Sequence, residues 1–325
     1  MREPSITGSP SSSDVAINSA SFSTPRLASL TNAMKWNITF GGMDMNKIRT
    51  TAKLLKFDIS GKYTKVREHM AARSKRMYPM VPPTVYAPFE CIVVDMITLQ
   101  VKSIDGAIYA HNFKDKQTKM AWSYPVMDAS ADTFLVVLND LLARLHRFKV
   151  SIIRADAGSN YSANKVRTHC ESRGIKLETA VVKAPHQIQI AEKNHDILLS
   201  TMRALMSFAN APYRLWANCI VWTCMLHNVS AIDYGTSVPV IPYHATNQTI
   251  DTNLLLPFGC LIIVHRDKDQ VNDGKLDPRK LYGAFIGLAD RFDFKKGIKV
   301  ILPGDVIIET CFFTGIGHLQ ISRTF

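Results

Sequence analysis

Three acids in the chain have types and spacing that could do chemistry. Asp95 follows the apolar run "FECIVV", Asp156 follows "SIIRA", and Glu192 comes with thirty-five residues between it and Asp156. Each acid alone has an ordinary role, since Asp begins turns and caps helices by accepting from free backbone N–H groups. Their company suggests more. Neighbouring parallel strands put their C-terminal ends on one edge of a sheet, where open α/β sheets build sites. If the strands bearing Asp95 and Asp156 are neighbours, the two carboxylates meet there, and a helix crossing that edge could bring Glu192 as a third. Clustered carboxylates repel unless a cation lies among them, and hard oxygen donors suit Mg²⁺ or Mn²⁺. Two such ions about 4 Å apart can activate an attacking oxygen and stabilise a leaving one in phosphoryl transfer. No nucleophilic side chain is then needed.

The elements that must position these acids follow from apolar periodicity. "FECIVVDMITLQV" reads as a buried strand ending near Asp95, and "GAIYAHNFKD" and "KMAWSYPVMD" follow at hairpin spacing. "SADTFLVVLNDLLARLHRF" carries a helical stripe at Phe134, Leu135, Val137, Leu138, Leu141, Leu142 and Leu145, with Asp132 near its start. "VSIIRAD" is a strand, "SANKVRTHCESRGI" a helix closed by Gly174, "KLETAVV" a strand and "IAEKNHDILLSTMRALMSFA" a long helix. The order β-β-β-α-β-α-β-α predicts a mixed sheet with helices on it. A helix follows around 216 to 229. Then "FGCLIIVHR", "LYGAFIGLA", "GIKVILP" and "DVIIETCFF" alternate with Asp, Gly, Lys and Pro turns, the pattern of a small β-barrel.

Composition narrows the partners. A 325-residue chain with 46% hydrophobic and 20% charged residues can bury an ordinary core and divide into two or three units. Its formal charge of +12 points to a polyanion. Residues 47 to 77 hold ten Lys or Arg against Asp58 and Glu68, which supplies most of that excess. This segment is either a solvated helical face or a nucleic-acid contact. Residues 1 to 30 are too rich in Ser, Thr, Pro and Asn to order themselves, and the prolines of "YPMVPPTVYAP" mark a linker. The six cysteines form no C-x-x-C pair and read as reduced, buried thiols. No signal peptide opens the chain, and "LWANCIVWTCMLHNVSAI", interrupted by Asn218, His227 and Asn228, reads as a buried helix rather than a membrane span. Trp216 and Trp222 in it are expected in the core. P-loop and nucleophile-elbow phrases are missing.

The order and spacing of Asp95, Asp156 and Glu192 resemble the D, D, E triad of retroviral-type integrases, and in detail the chain resembles integrases of copia-type LTR retrotransposons. "RADAGSNY" is similar to that family's R-S-D-N-G-G-E-F, and "PHQIQIAE" to its P-Q-Q-N-G-V-A-E. "LWANCIVWTCMLHN" resembles its F-W-A-E-A helix, "PFGCLIIVH" its F-G-C strand, and "KLDPRKLYGAFIGLAD" its K-L-D-P-R barrel entry. The likeness runs over residues 35 to 315.

The resemblance implies an α/β fold with an RNase H-like mixed five-stranded sheet and flanking helices over 86 to 250, followed by a small SH3-like β-barrel over 251 to 325. Residues 31 to 85 would be a basic helical remnant of the family's zinc module. The implied activity is metal-dependent processing of DNA 3′ ends and their joining to target DNA, with Mg²⁺ or Mn²⁺ held by Asp95, Asp156 and Glu192. Lys183, Lys193, Arg203, Arg73, Lys75 and Arg76 would grip phosphates. The implied partners are element-end and target DNA and further copies of the chain on that DNA. It would act in the nucleus and otherwise be cytoplasmic, with no membrane association. The alternative is a degenerate relative that only binds nucleic acid.

Departures from the family carry their own expectations. "WNITFGG" puts Asn37 and Gly42 where zinc-binding histidines belong, and no cysteine precedes Cys91, so no zinc is expected. Ala157 and Asn160 replace an Asn and a Glu after the second acid. Ile188 and Gln189 replace an Asn-Gly, which should stiffen the loop before Glu192. Asn194 stands where the family has a Lys. His186 and His195 flank Glu192 without a recognised ligand spacing and fall outside the expected catalytic set.

Overall fold

The computed structural model describes residues 30–64, 85–156, 158–179, 185–232, 238–266 and 278–315, with the side chains of 159 and 185–194 excepted. The expected tail and most of the linker lie outside these residues.

The acids are carried by a five-stranded sheet. Its strands are β1 (Cys91–Thr98), β2 (Tyr109–Asp115), β3 (Ala121–Val126), β4 (Ile152–Ala155) and β5 (Lys176–Thr179), in the order β3-β2-β1-β4-β5. The β1-β2-β3 meander is antiparallel, while β4 and β5 join parallel to β1, so the sheet is mixed as expected. Parallel pairing needs crossovers, and helices supply them. After two helices at the N-terminal end, α1 (Asn32–Thr39) and α2 (Met45–Leu55), come α3 (Ala131–Arg144), the single turn α4 (Ser159–Ser162) and α5 (Asn164–Ser172). Then follow the long α6 (Pro185–Ala209) and α7 (Trp216–Asn228).

Local sequence explains where these helices begin and end. Ser130 caps α3 by accepting from Thr133 N, so Asp132 lies in the first turn rather than at the cap. Phe134, Val137, Leu138 and Leu141 form its buried face. Gly174 at φ +67° closes α5, as its position in the sequence suggested. Helix α6 begins at Pro185, five residues before the expected start. Proline suits a first helical turn, and no Asn-Gly interrupts the run.

Helix α7 is buried along most of its length, including Trp216 and Trp222. Its polar Asn228 has a specific task. The side chain accepts from Ala121 N and donates to Ala121 O, both at 2.7 Å, so it completes the hydrogen bonding of edge strand β3. No described helix is long and apolar enough to cross a membrane.

The C-terminal strands β6 (Leu261–His265), β7 (Lys280–Asp290), β8 (Asp293–Leu302), β9 (Val306–Thr310) and β10 (Phe313–Gly315) form a second sheet, ordered β10-β6-β7-β8-β9 and antiparallel throughout. The three-residue β10, which the sequence pattern does not separate from β9, pairs with β6. This sheet packs on α7, which lies against β3, and the turn between β7 and β8 reaches β3 directly. Phe285 meets Trp222 edge-on at 5.0 Å between centroids, and Phe292 lies 5.4 Å from Tyr124. Arg144 on α3 reaches Asp290 at 2.8 Å, and Arg214 makes a paired contact with Asp305. One contiguous apolar cluster runs from Phe40 and Met45 through Phe113 and Trp222 to Phe285.

Candidate active site

Strand pairing brings the first two acids together. In the parallel ladder of β1 and β4, Val94 pairs with Ala155, so Asp95 and Asp156 follow side by side at its carboxyl edge. Both are half-buried on the face opposite the buried Val94 and Ala155. Their shared location has an electrostatic consequence. Burial raises the Tyr161 hydroxyl well above its usual pKa, and the charges of Asp156 and Asp95 raise it further. Tyr161 therefore stays protonated beside both carboxylates, and its oxygen lies 2.9 Å from His111 Nδ1. Burial pushes the His111 imidazole down to about 4, so that ring is neutral near pH 7.

Asp95 corrects one expectation. Strand β1 does not end near it but continues to Thr98, because β2 goes on pairing with it through Tyr109. What stops at this level is the ladder to β4. Asp95 thus stands on a rigid central strand, with its Oδ1 accepting from Met96 N at 2.7 Å.

Asp156 is held differently. It leaves β4 into a turn in which Oδ1 accepts from Gly158 N at 3.1 Å. A Cβ on residue 158 would lie 2.7 Å from Asn160 Oδ1 and 2.9 Å from Asp156 Oδ1, so a larger residue there would push these side-chain oxygens aside. Asp156 therefore forms the turn and still keeps Oδ2 for other contacts. Asn160 is buried with its amide 3.9 Å from Met96 Sδ, and Ala157 lies outside the described residues.

Glu192 lies in α6, whose side chains are described only from His195 onward. His195 is one turn further along the same helix face. Its spacing gives that ring no role, yet the fold brings its Nδ1 to 3.3 Å from Asp95 Oδ2 and its Nε2 to 3.4 Å from Asn112 Nδ2. Asn112, the cross-strand partner of Asp95, escapes the sequence pattern as well. Spacing rules for a single helix or loop cannot find contacts between residues about a hundred positions apart. Among the described side chains, no group of three His, Cys, Asp or Glu converges to hold a metal ion. Asp95 and Asp156 alone supply a pair of hard oxygen donors fitting a divalent cation of the Mg²⁺ class.

The expected phosphate grips are only partly described. Lys183, Arg73, Lys75 and Arg76 lie outside the described residues, as does the Lys193 side chain. Arg203 is exposed on α6, eleven residues beyond Glu192 and so about 16 Å along the axis. Three turns of helix separate it from Glu192. The start of the basic segment lies on α2, where Arg49 and Lys53 are exposed. Lys47 is half-buried, and burial pushes its pKa down to about 8.

Residues 85–185 match the Integrase core domain family. A Retrovirus-related Pol polyprotein from transposon TNT 1-94 of Nicotiana tabacum is 27% identical over 198 residues, covering 59% of this chain and 14% of that protein. The Truncated transposon Ty1-A Gag-Pol polyprotein of Saccharomyces cerevisiae is 27% identical over 227 residues, covering 69% of this chain and 18% of its own length. The chain thus spans less than a fifth of either relative. The crystal structure of the catalytic core domain of BIV integrase is similar at 14% identity and a TM-score of 0.38, covering 49% of this chain and 94% of that one. Residues 85–185 thus resemble an integrase core domain, in a chain that is similar to transposon Pol polyproteins.

Proposed function

We propose that the chain works as a retrotransposon integrase, trimming DNA 3′ ends with water and joining those ends to target DNA through attack by the 3′-OH. The observation that carries this reading is the Val94–Ala155 register, which sets Asp95 and Asp156 side by side at the carboxyl edge of the parallel strands. Asp95, Asp156 and Glu192 would hold Mg²⁺ or Mn²⁺, which supplies Lewis-acid stabilisation of charge on the scissile phosphate. Asp95 contributes from the central strand β1, still paired there with β2, and Asp156 from the turn it forms with Gly158 N, so the two carboxylates are placed by the fold without substrate. Tyr161, kept protonated, adds no competing negative charge beneath them.

The domain division at 86–250 and 251–325 belongs to the same proposal, with the second sheet serving as the SH3-like barrel. That sheet and the segment from 47 to 77 would hold DNA backbone largely without sequence choice. Several copies of the chain would assemble on the DNA.

The test is strand transfer on oligonucleotide ends with Mg²⁺ or Mn²⁺, using the wild-type chain and Asp156→Asn. The substitution keeps the acceptor for Gly158 N but halves the oxygen donors, so product should vanish while the fold persists. Strand transfer that survives Asp156→Asn would sink the reading.

A further inference from the structure

We infer that His195, held by Asn112, is a positioning residue that aims the Asp95 carboxylate. The inference rests on the metal-dependent reading above and deepens it. Asp95 and Asn112 are direct partners across β1 and β2, and the His195 ring bridges the two side chains. The Asn112 Nδ2 group can only donate, so the Nε2 it faces at 3.4 Å is the accepting nitrogen and the ring proton sits on Nδ1. That proton faces Asp95 Oδ2 at 3.3 Å. With Met96 N donating to Oδ1 at 2.7 Å, each carboxylate oxygen then lies near an N–H group. The rotation of the carboxylate is fixed, and so is the direction in which it offers its lone pairs. In this tautomer neither ring nitrogen has a lone pair left for a metal, which makes His195 an aid to a ligand and not a ligand.

Asn112 supports the same conclusion independently. Its side chain is buried at 3% exposure, and Oδ1 has no hydrogen-bond partner among the described residues. An orphaned buried carbonyl costs stability, and packing alone gains nothing from an amide at this position. Fixing the tautomer of His195 gives the amide a use. Donors that orient a ligating carboxylate change metal affinity by about 10- to 100-fold when removed.

The experiment measures Mn²⁺ affinity of the full chain without DNA, from the electron paramagnetic resonance signal of free Mn²⁺. His195→Ala should weaken binding about tenfold or more. His195→Asn, whose amide can donate from near the Nδ1 position, should recover most of that loss, and Asn112→Leu should weaken binding in the same direction. Melting curves in EDTA confirm that each variant is folded, and Asn112→Leu serves if His195→Ala is not. Unchanged affinity in the folded His195→Ala variant, or in Asn112→Leu, overturns the inference, as does His195→Asn binding no better than His195→Ala. Uptake that depends on Asp156 but ignores His195 defeats the positioning role alone. Wild-type uptake that ignores Asp156 defeats the metal reading, and this inference with it.

Discussion

Gly41 packs so closely against Thr201 that a Cβ on residue 41 would fall 2.6 Å from Thr201 Cγ2, and its φ is +57°. The contact joins the turn between α1 and α2 to the long helix that carries Glu192 and His195. Gly41→Ala would meet both a left-handed backbone penalty and an overpacked helix face, together about 2–4 kcal/mol. Denaturant unfolding should show that loss as a lower midpoint with an unchanged slope. A variant as stable as wild type would mean that α6 can shift away freely.

Asn228 makes a second, separable prediction. Asn228→Ala would leave both the N–H and the C=O of Ala121 unpaired on an edge strand beneath a buried helix. Two orphaned backbone groups cost about 2–4 kcal/mol together, if water does not reach them. Hydrogen exchange at Ala121 N should quicken in the variant, and exchange as slow as wild type would show that another acceptor takes over.

These two residues show how far local sequence reports on structure. "WNITFGG" marks a place where zinc ligands are missing, but nothing local reveals that Gly41 serves a contact with Thr201, 160 positions away. Asn228 is visible as a break in an apolar helix, and a polar residue in a buried helix does signal a specific bond. The sheet itself is readable, since apolar runs report burial and their order restricts the topology. The end of β1 is not, because periodicity reports which face is covered and not which neighbour does the pairing. The spacing of His195 from Glu192 says nothing of Asp95, because that contact depends on where α6 crosses the sheet.

His111 makes the fold acid-sensitive. Burial lowers its pKa from 6.5 to about 4, so the folded state resists protonation that the unfolded chain accepts. The corresponding stability is complete above pH 6.5 and is lost as pH falls toward 4. It amounts to something on the order of 3 kcal/mol, since each tenfold change in proton affinity is worth about 1.36 kcal/mol. Burial moves His227 the same way, with Lys47 and Lys114 adding to it. Urea unfolding at pH 7.5 and at pH 5 should show this fall, and His111→Gln should reduce it. A fall of equal size in the variant would assign the acid sensitivity elsewhere.

Arg203 tests the DNA reading away from the carboxylates. It is exposed on α6 about 16 Å beyond Glu192. A phosphate contact contributes counterion release, which raises affinity without regard to sequence and steepens the dependence on salt. Arg203→Ala should therefore weaken binding to unrelated duplexes by similar factors and reduce the slope of log K against log salt by about one. Uptake of Mn²⁺ should not change, because the residue is three turns from the acids. If the salt slope is unaltered while affinity for one sequence falls, Arg203 reads bases rather than phosphate. If neither changes, the face of α6 beyond His195 does not touch DNA, and the basic segment and the second sheet must carry the grip.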